Sequence, residues 1–174
     1  MATDAFIEQL YNTFLYRTSD DAGKADWISR IDNRTQSPAE ITYAFSQSQE
    51  FSDRALMVTK NYFVLFGRVP DTDGMRYWLD KVDNGMSELE IIEQFMASQE
   101  YENLYGAVQN NTEYFQLLSR TALNRELREY DNNDWEGALD IGKTQVELIS
   151  QIASSVSFDQ VRIQEIKQAA LYYG

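Results

Sequence analysis

The chain has no cysteine and no histidine. Thiol and imidazole nucleophiles, a histidine general base, structural zinc and a disulfide framework are therefore all excluded. Positive charge is scarce too: 15 basic against 28 acidic side chains give 15 − 28 = −13 and a pI near 4.3. A polyanion such as DNA or RNA is repelled by such a chain, so no nucleic-acid partner is expected. No window reaches the run of about eighteen apolar residues that a membrane span needs, and no membrane insertion is expected. Residues 1–6 carry neither a basic start nor an apolar core, so they do not read as a cleavable signal peptide. An export signal is expected elsewhere, for instance in a part beyond Gly174. Lack of cysteine is compatible with work outside the cell that does not rely on oxidative folding.

What the chain has is a threefold repeat. An arginine precedes a tryptophan by ten residues at Arg17 and Trp27, Arg68 and Trp78, and Arg125 and Trp135. A Ser/Thr-x-x-Glu box follows at 37–40, 87–90 and 144–147. Fixed offsets then place a large apolar residue (Phe45, Phe95, Ile152), a serine (Ser48, Ser98, Ser155) and an aromatic (Phe51, Tyr101, Phe158). Successive arginines are 68 − 17 = 51 and 125 − 68 = 57 residues apart. Such a period describes an array of small units rather than one domain around a unique cleft. With 43 % apolar and 13 % aromatic residues the array has ample material for a core.

Each copy opens with apolar residues at helical spacing: Ile7, Tyr11, Phe14 and Leu15; Val58, Tyr62, Leu65 and Phe66; Phe115, Ser119, Ala122 and Leu123. A polar turn follows, containing Gly23 in the first copy and Pro70 and Gly74 in the second. The second helix pairs the tryptophan with an apolar residue four positions on (Ile31, Val82, Leu139) and closes near Gly85 and Gly142 in the later copies. The third helix starts at the capping box, with Pro38 at its first position in copy one. A terminal helix is expected over 161–173, with Ile163, Ile166, Ala170 and Tyr173 roughly on one side. No stretch alternates as a strand does. The predicted fold is all-α: three tandem multi-helix repeats stacked in series over 1–55, 56–110 and 111–174, forming one cooperative domain, the third degenerate and carrying the terminal helix.

The run from Tyr62 to Tyr101, with Leu-x-Arg-x-Pro-Asp-x-x-Gly-x-x-Tyr-Trp, then Gly-x-Ser-x-x-Glu and Phe-x-x-Ser-x-Glu-Tyr, closely resembles a helical domain-of-unknown-function repeat. That repeat is carried by bacterial S-layer proteins and large RTX-type secreted proteins. A more distant similarity is to the phycobilisome linker domain, through the Arg-x-Pro-Asp turn and the Ser-x-Glu-Tyr ending. The first copy departs at Thr18-Ser19 and at Asp26, and the third has Arg128 where the turn aspartate would stand. The resemblance covers about residues 6–158. It implies an extracellular, cell-surface module of a secreted S-layer or RTX-type protein, exported by a type I pathway and attached to further domains of its own chain. It further implies attachment of that protein to the O-antigen polysaccharide of lipopolysaccharide, with neighbouring S-layer protomers as possible partners. A structural linker or self-assembly module is the alternative.

Five sets of residues are candidates for function. The tryptophans offer faces for sugar rings but read as core, and the arginines read as helix-end caps paired with the turn acids Asp20 and Asp71. The serines lack a histidine and read as local backbone hydrogen-bonders. Asp71, Asp73, Asp131 and Asp134 are possible calcium ligands, although no EF-hand order or Gly-rich nonapeptide accompanies them. The connector at 102–113 is longer than its counterpart in copy one and mixes aromatics with amides. Tyr101, Tyr105, Asn110, Asn111 and Tyr114 there are the expected glycan ligands, rings for C–H faces and carboxamides for hydroxyls. Catalysis is not expected, because the acids fall in repeating turns and caps instead of one converging constellation.

Overall fold

All three Ser/Thr-x-x-Glu boxes start helices. Ser37, Ser87 and Thr144 accept the backbone N–H of the glutamate three residues on at 3.3, 3.4 and 3.2 Å. That glutamate accepts the cap N–H in return, at 2.7, 2.8 and 2.7 Å, so two orphan donors are satisfied at each start. The serines at 48, 98 and 155 cap the next short segment, accepting from Phe51, Tyr101 and Phe158 and donating to the carbonyl three residues back.

A computed structural model describes residues 2–155 together with Phe158, Asp159 and Arg162; among these residues the regular structure is helical and no strand occurs. Apart from Arg162, the terminal helix expected over 161–173 lies outside the described residues. The elements are α1 (Ala2–Leu10), π1 (Tyr11–Leu15), α2 (Asp21–Asp32), α3 (Pro38–Ser46), α4 (Gln49–Phe51), π2 (Ser52–Leu56), α5 (Met57–Phe66), α6 (Thr72–Asp83), α7 (Glu88–Met96), α8 (Gln99–Tyr105), α9 (Asn111–Leu123), α10 (Glu129–Asp140) and α11 (Gln145–Ala153). They gather into two compact units, one reaching Met57 and the other beginning at Val58. The first repeat lies in one unit, and the second and third lie in the other.

In the first unit the core is aromatic. Tyr11 meets Phe45 edge-on at 5.1 Å, Phe14 meets Phe51 at 5.6 Å, and Trp27 leans on Phe45 at 5.3 Å. Helix α2 has no fully buried residue, so its half-buried tryptophan is its main attachment. In the second unit Trp78 and Tyr62 both stand edge-on to Phe95, at 4.7 and 5.1 Å. Helices α7 and α11, the two capping-box helices, pack on each other through adjacent buried pairs, Ile91-Ile92 and Leu148-Ile149. The first repeat has Ile41-Thr42 at that position, and Thr42 turns its hydroxyl back to the Pro38 carbonyl at 2.9 Å. The apolar pair by which α7 and α11 pack is thus a single apolar residue in the first repeat.

The repeated arginines are not tied chiefly to the turn acids, which corrects the sequence expectation. Arg17 grips Glu50 with two hydrogen bonds of 2.6 and 2.9 Å, and Arg68 grips Glu100 with two of 3.0 and 2.9 Å. Asp20 is a looser partner of Arg17 at 3.8 Å. Both arginines also lie over the tyrosine one helical turn and more before them, 4.8 Å from Tyr11 and 4.9 Å from Tyr62. Asp20 and Asp71 instead cap α2 and α6 by accepting from Gly23 and Gly74, both at 2.7 Å. In the third repeat the tyrosine is Ser119 and the glutamate position is Ser157, and Arg125 turns to Asp131 at 2.6 and 3.0 Å.

Two backbone positions per repeat are left-handed. Tyr16, Gly67 and Asn124 precede the arginines with φ of 53°, 68° and 51°; Arg34, Gly85 and Gly142 end the tryptophan helices with φ of 57°, 90° and 93°. Glycine takes this conformation freely, whereas a side chain is strained there by about 1–2 kcal/mol. Arg34→Gly should therefore raise unfolding stability by about 1 kcal/mol, and Gly85→Ala should lower it by a similar amount although a Cβ at 85 meets nothing within 4 Å. Urea melts of both variants check the pair of opposite signs.

The pair Arg125–Asp131 is the most enclosed of the three, with side chains 19 % and 11 % exposed against 48 % and 37 % for Arg68–Glu100. Asp131→Asn should cost about 1.5–3 kcal/mol and Glu100→Gln less than about 1 kcal/mol. Asp131 is held below its ordinary value of 3.8, first by its hydrogen bonds from Arg125; hydrogen bonds from their cap residues hold Glu40, Glu90 and Glu147 below 4.5. Their contribution is present above about pH 4.5 and lost as the pH falls through the folded values. An acid melt in which Asp131→Asn removes part of that slope checks the assignment.

Candidate functional site

After Phe51 in the first repeat the chain enters π2 and then α5 without a break. After Tyr101 in the second repeat it does not. Helix α8 ends at Tyr105, Gly106 donates to the Glu102 carbonyl at 2.9 Å, and a turn over 106–110 leads to Asn110, whose Oδ1 caps α9 by accepting from Glu113 at 3.0 Å. Gln109 N–H donates to the Glu113 carboxylate at 2.9 Å, closing the same turn from the other side. From Tyr101 to the next repeated arginine is 125 − 101 = 24 residues against 68 − 51 = 17 from Phe51, so this interval is 24 − 17 = 7 residues longer.

The turn leaves an open hollow of about 330 Å³, at the small end of the range of about 300–1,000 Å³ for ligand pockets. All five expected glycan ligands line it: Tyr101, Tyr105, Asn110, Asn111 and Tyr114. Glu102, Gly106, Val108, Gln109 and Gln145 complete the wall. Gln145 arrives from the start of α11, and no sequence spacing places it beside residue 101. Glu102, by contrast, falls inside the stretch singled out from the sequence and was passed over for want of an aromatic or amide group.

Within the hollow the five expected ligands divide. Tyr101 stacks on Tyr105 at 4.6 Å and 20°, and Tyr105 leans on Tyr114 at 5.4 Å. The Tyr105 hydroxyl donates to the Leu65 carbonyl at 3.0 Å, and those of Tyr101 and Tyr114 meet at 3.4 Å. Tyr105 and Tyr114 are each only 5 % exposed. They form the floor, with one hydroxyl already committed to the backbone, so the expectation that both contact a ligand directly needs correcting. Tyr101 is half-exposed; one ring face is covered by Tyr105, and the remainder borders the hollow. Asn110 and Asn111 are exposed at the rim, Asn110 with its oxygen engaged in the cap. Burial raises the pKa of all three phenols, and at Tyr101 the Glu102 charge adds to it.

The four carboxylates expected as possible calcium ligands, Asp71, Asp73, Asp131 and Asp134, stand at or within α6 and α10. Asp71 caps α6, both oxygens of Asp131 hold Arg125, Asp134 receives a long bond from Gln151 at 3.4 Å, and Asp73 sits in the first turn of α6. These carboxylates answer helix ends and an arginine, and no group of three acidic side chains that could hold a metal occurs among the described residues. The tryptophans belong to the aromatic clusters: Trp27 and Trp78 are half-buried, and Trp135 is buried against Phe115 at 5.6 Å. No described helix is long and apolar enough to cross a membrane.

The family model described as Domain of unknown function (DUF4214) matches the chain over residues 1–55, 55–105 and 92–161. No curated protein and no solved structure matches. The tyrosine hollow lies where the second and third segments overlap and just beyond it.

Burial raises Tyr62 to about 12, and Tyr105 and Tyr114 further. In the unfolded chain these phenols titrate near 10. Their raised folded values contribute stability that is fully present below pH 10 and fades as pH rises above it. Tyrosinate absorbance in an alkaline titration should therefore show a late fraction that appears only as helical ellipticity is lost. Tyr105→Phe should shrink that fraction and, by leaving the Leu65 carbonyl without its donor, lower stability by about 1–3 kcal/mol.

Proposed function

Since this chain belongs to the DUF4214 family in each of its three repeats, we propose that it is a cell-surface anchoring module that binds a neutral polysaccharide, the O-antigen of lipopolysaccharide, and tethers a larger S-layer or RTX-type protein. One observation carries the reading: the seven extra residues after Tyr101 open a hollow walled by tyrosine and carboxamide groups. A tyrosine face complements the C–H face of a pyranose, and carboxamides offer a donor and an acceptor together for its hydroxyls. A chain at −13 meets an anionic cell surface with net repulsion, so contact through uncharged sugars is the route that charge permits. The resemblance to S-layer and RTX-type proteins supports the surface setting and export. The module is read as a binder and not as an enzyme.

A second reading, self-assembly, has its own observation. Tyr130 and Ile141 are 78 % and 79 % exposed, and their separation of 141 − 130 = 11 residues places them roughly on one side of α10, Ile141 standing just past its end. Sedimentation velocity separates the two: Tyr130→Ser with Ile141→Ser should leave a monomeric binder unchanged and dissolve an assembly.

Co-sedimentation with smooth lipopolysaccharide of the source strain tests the anchoring reading. The expected result is retention on smooth but not on O-antigen-free lipopolysaccharide, with or without chelator, and weakening of about tenfold or more in Tyr101→Ala from loss of the stacking face. Equal retention on both forms, or none on either, ends it.

A further inference from the structure

The hollow contains one charged side chain, and its surroundings are unusual. Glu102 lies at the middle of the seven-residue α8, at the end of its first turn, and lines the hollow. Among the described residues no cation pairs with it, although neighbouring acids are engaged: Glu100 holds Arg68, and Glu113 closes the turn onto Gln109. The same repeat position is Ser52 in the first copy and Asp159 in the third, where Lys60 pairs with it. Only the copy that has the hollow carries a carboxylate there without a cation.

Gly106 explains how that carboxylate is seated. A Cβ at residue 106 would stand 2.5 Å from the Glu102 carbonyl oxygen and 2.5 Å from its Oε1. The missing side chain is what lets the carboxylate fold over the helix end beside the hollow. Residue 56, the counterpart of 106, is leucine, and there the chain continues as π2. Glutamate, glycine and hollow occur together in the second repeat, and the other two copies have Leu56 and Ile163 where it has the glycine.

We propose that Glu102 is the specificity-determining residue of this hollow: its carboxylate accepts from two neighbouring hydroxyls of an uncharged sugar ring seated against Tyr101, and it rejects sugars bearing carboxylate or phosphate. The inference rests on the glycan reading above and adds the sugar class and the residue that selects it. Hydroxyl donors to a carboxylate make charge-assisted hydrogen bonds, stronger than those to a neutral oxygen. The exposed amides at Asn111, Gln109 and Gln145 serve the remaining hydroxyls. With no lysine or arginine in the wall, an anionic sugar would meet only repulsion.

The test uses the intact chain and two matched probes, neutral hexose oligosaccharides and uronic-acid oligosaccharides of equal length, followed by calorimetry. Glu102→Gln removes the charge, Glu102→Lys reverses it, and Asp80→Asn makes the same charge change on exposed α6, away from the hollow wall. Expected are binding of neutral members only, loss of about tenfold or more in Glu102→Gln, no change in Asp80→Asn, and gain of the uronate series in Glu102→Lys. Circular dichroism of each variant confirms that helix content is kept. Equal binding of both probe series by the native chain, equal effects of Glu102→Gln and Asp80→Asn, or no binding of any probe would overturn the proposal. Neutral-sugar binding that depends on Glu102 but goes with no retention on smooth lipopolysaccharide would remove the anchoring reading alone. Retention indifferent to Glu102→Gln would remove this inference alone.

Discussion

The described α-helices are too short to stand by themselves. The longest, α9, has 13 residues, and the tryptophan helices have 12 each; isolated helices below about 12–15 residues are marginal in water even with favourable composition, and the longer continuous runs, α1–π1 and α4–π2–α5, each change to π-helical turns. Every element therefore depends on tertiary contact and on satisfying its own ends. The aromatic clusters around Phe45 and Phe95 supply the contact, and the Ser, Thr and Asp caps supply the ends. With so many short helices the number of orphan end groups is high, which is why side-chain capping recurs in each repeat where longer helices would need fewer such devices.

The third repeat shows how tightly these devices are linked. Its arginine has lost both the tyrosine beneath it and the distant glutamate, replaced by Ser119 and Ser157, and its turn aspartate has become Arg128. Asp131, standing where the other repeats have glycine, answers all of this together: it takes Arg125 and also accepts the Arg128 backbone N–H at 3.3 Å, so one carboxylate serves as ion-pair partner and helix-start acceptor. Trp135 likewise turns from the absent Phe95 counterpart, which is Ile152, to Phe115. The degeneracy that the sequence shows is a second solution to the same closure.

Function, on this account, arises where the repeat is broken. The shared residues go into caps, arginine clamps and aromatic packing and leave little chemistry exposed. Seven additional residues after Tyr101 stop the helical run, and the groups that would otherwise pack or pair are left bordering an open hollow. Within it the chemistry splits by depth: Tyr105 and Tyr114 are structural floor, while Tyr101, Glu102 and the amides remain available to something else.

The all-helical class, the three copies, the capping boxes and the glycine-ended helices were legible in the chain itself, because caps, turns and helical periodicity are local and act over three to five residues. The five residues nominated from aromatic and amide content do line one hollow, since a short turn between two helices keeps near neighbours together. What only the tertiary structure decided are the partners of groups far apart in the chain. Arg17 finds Glu50 and not chiefly Asp20, Asp71 caps a helix instead of offering itself to a cation, Gln145 joins the hollow from α11, and repeats two and three merge through α7 and α11. Side-chain reach is set by where helices cross, and that depends on packing summed over the whole core, which no local spacing encodes.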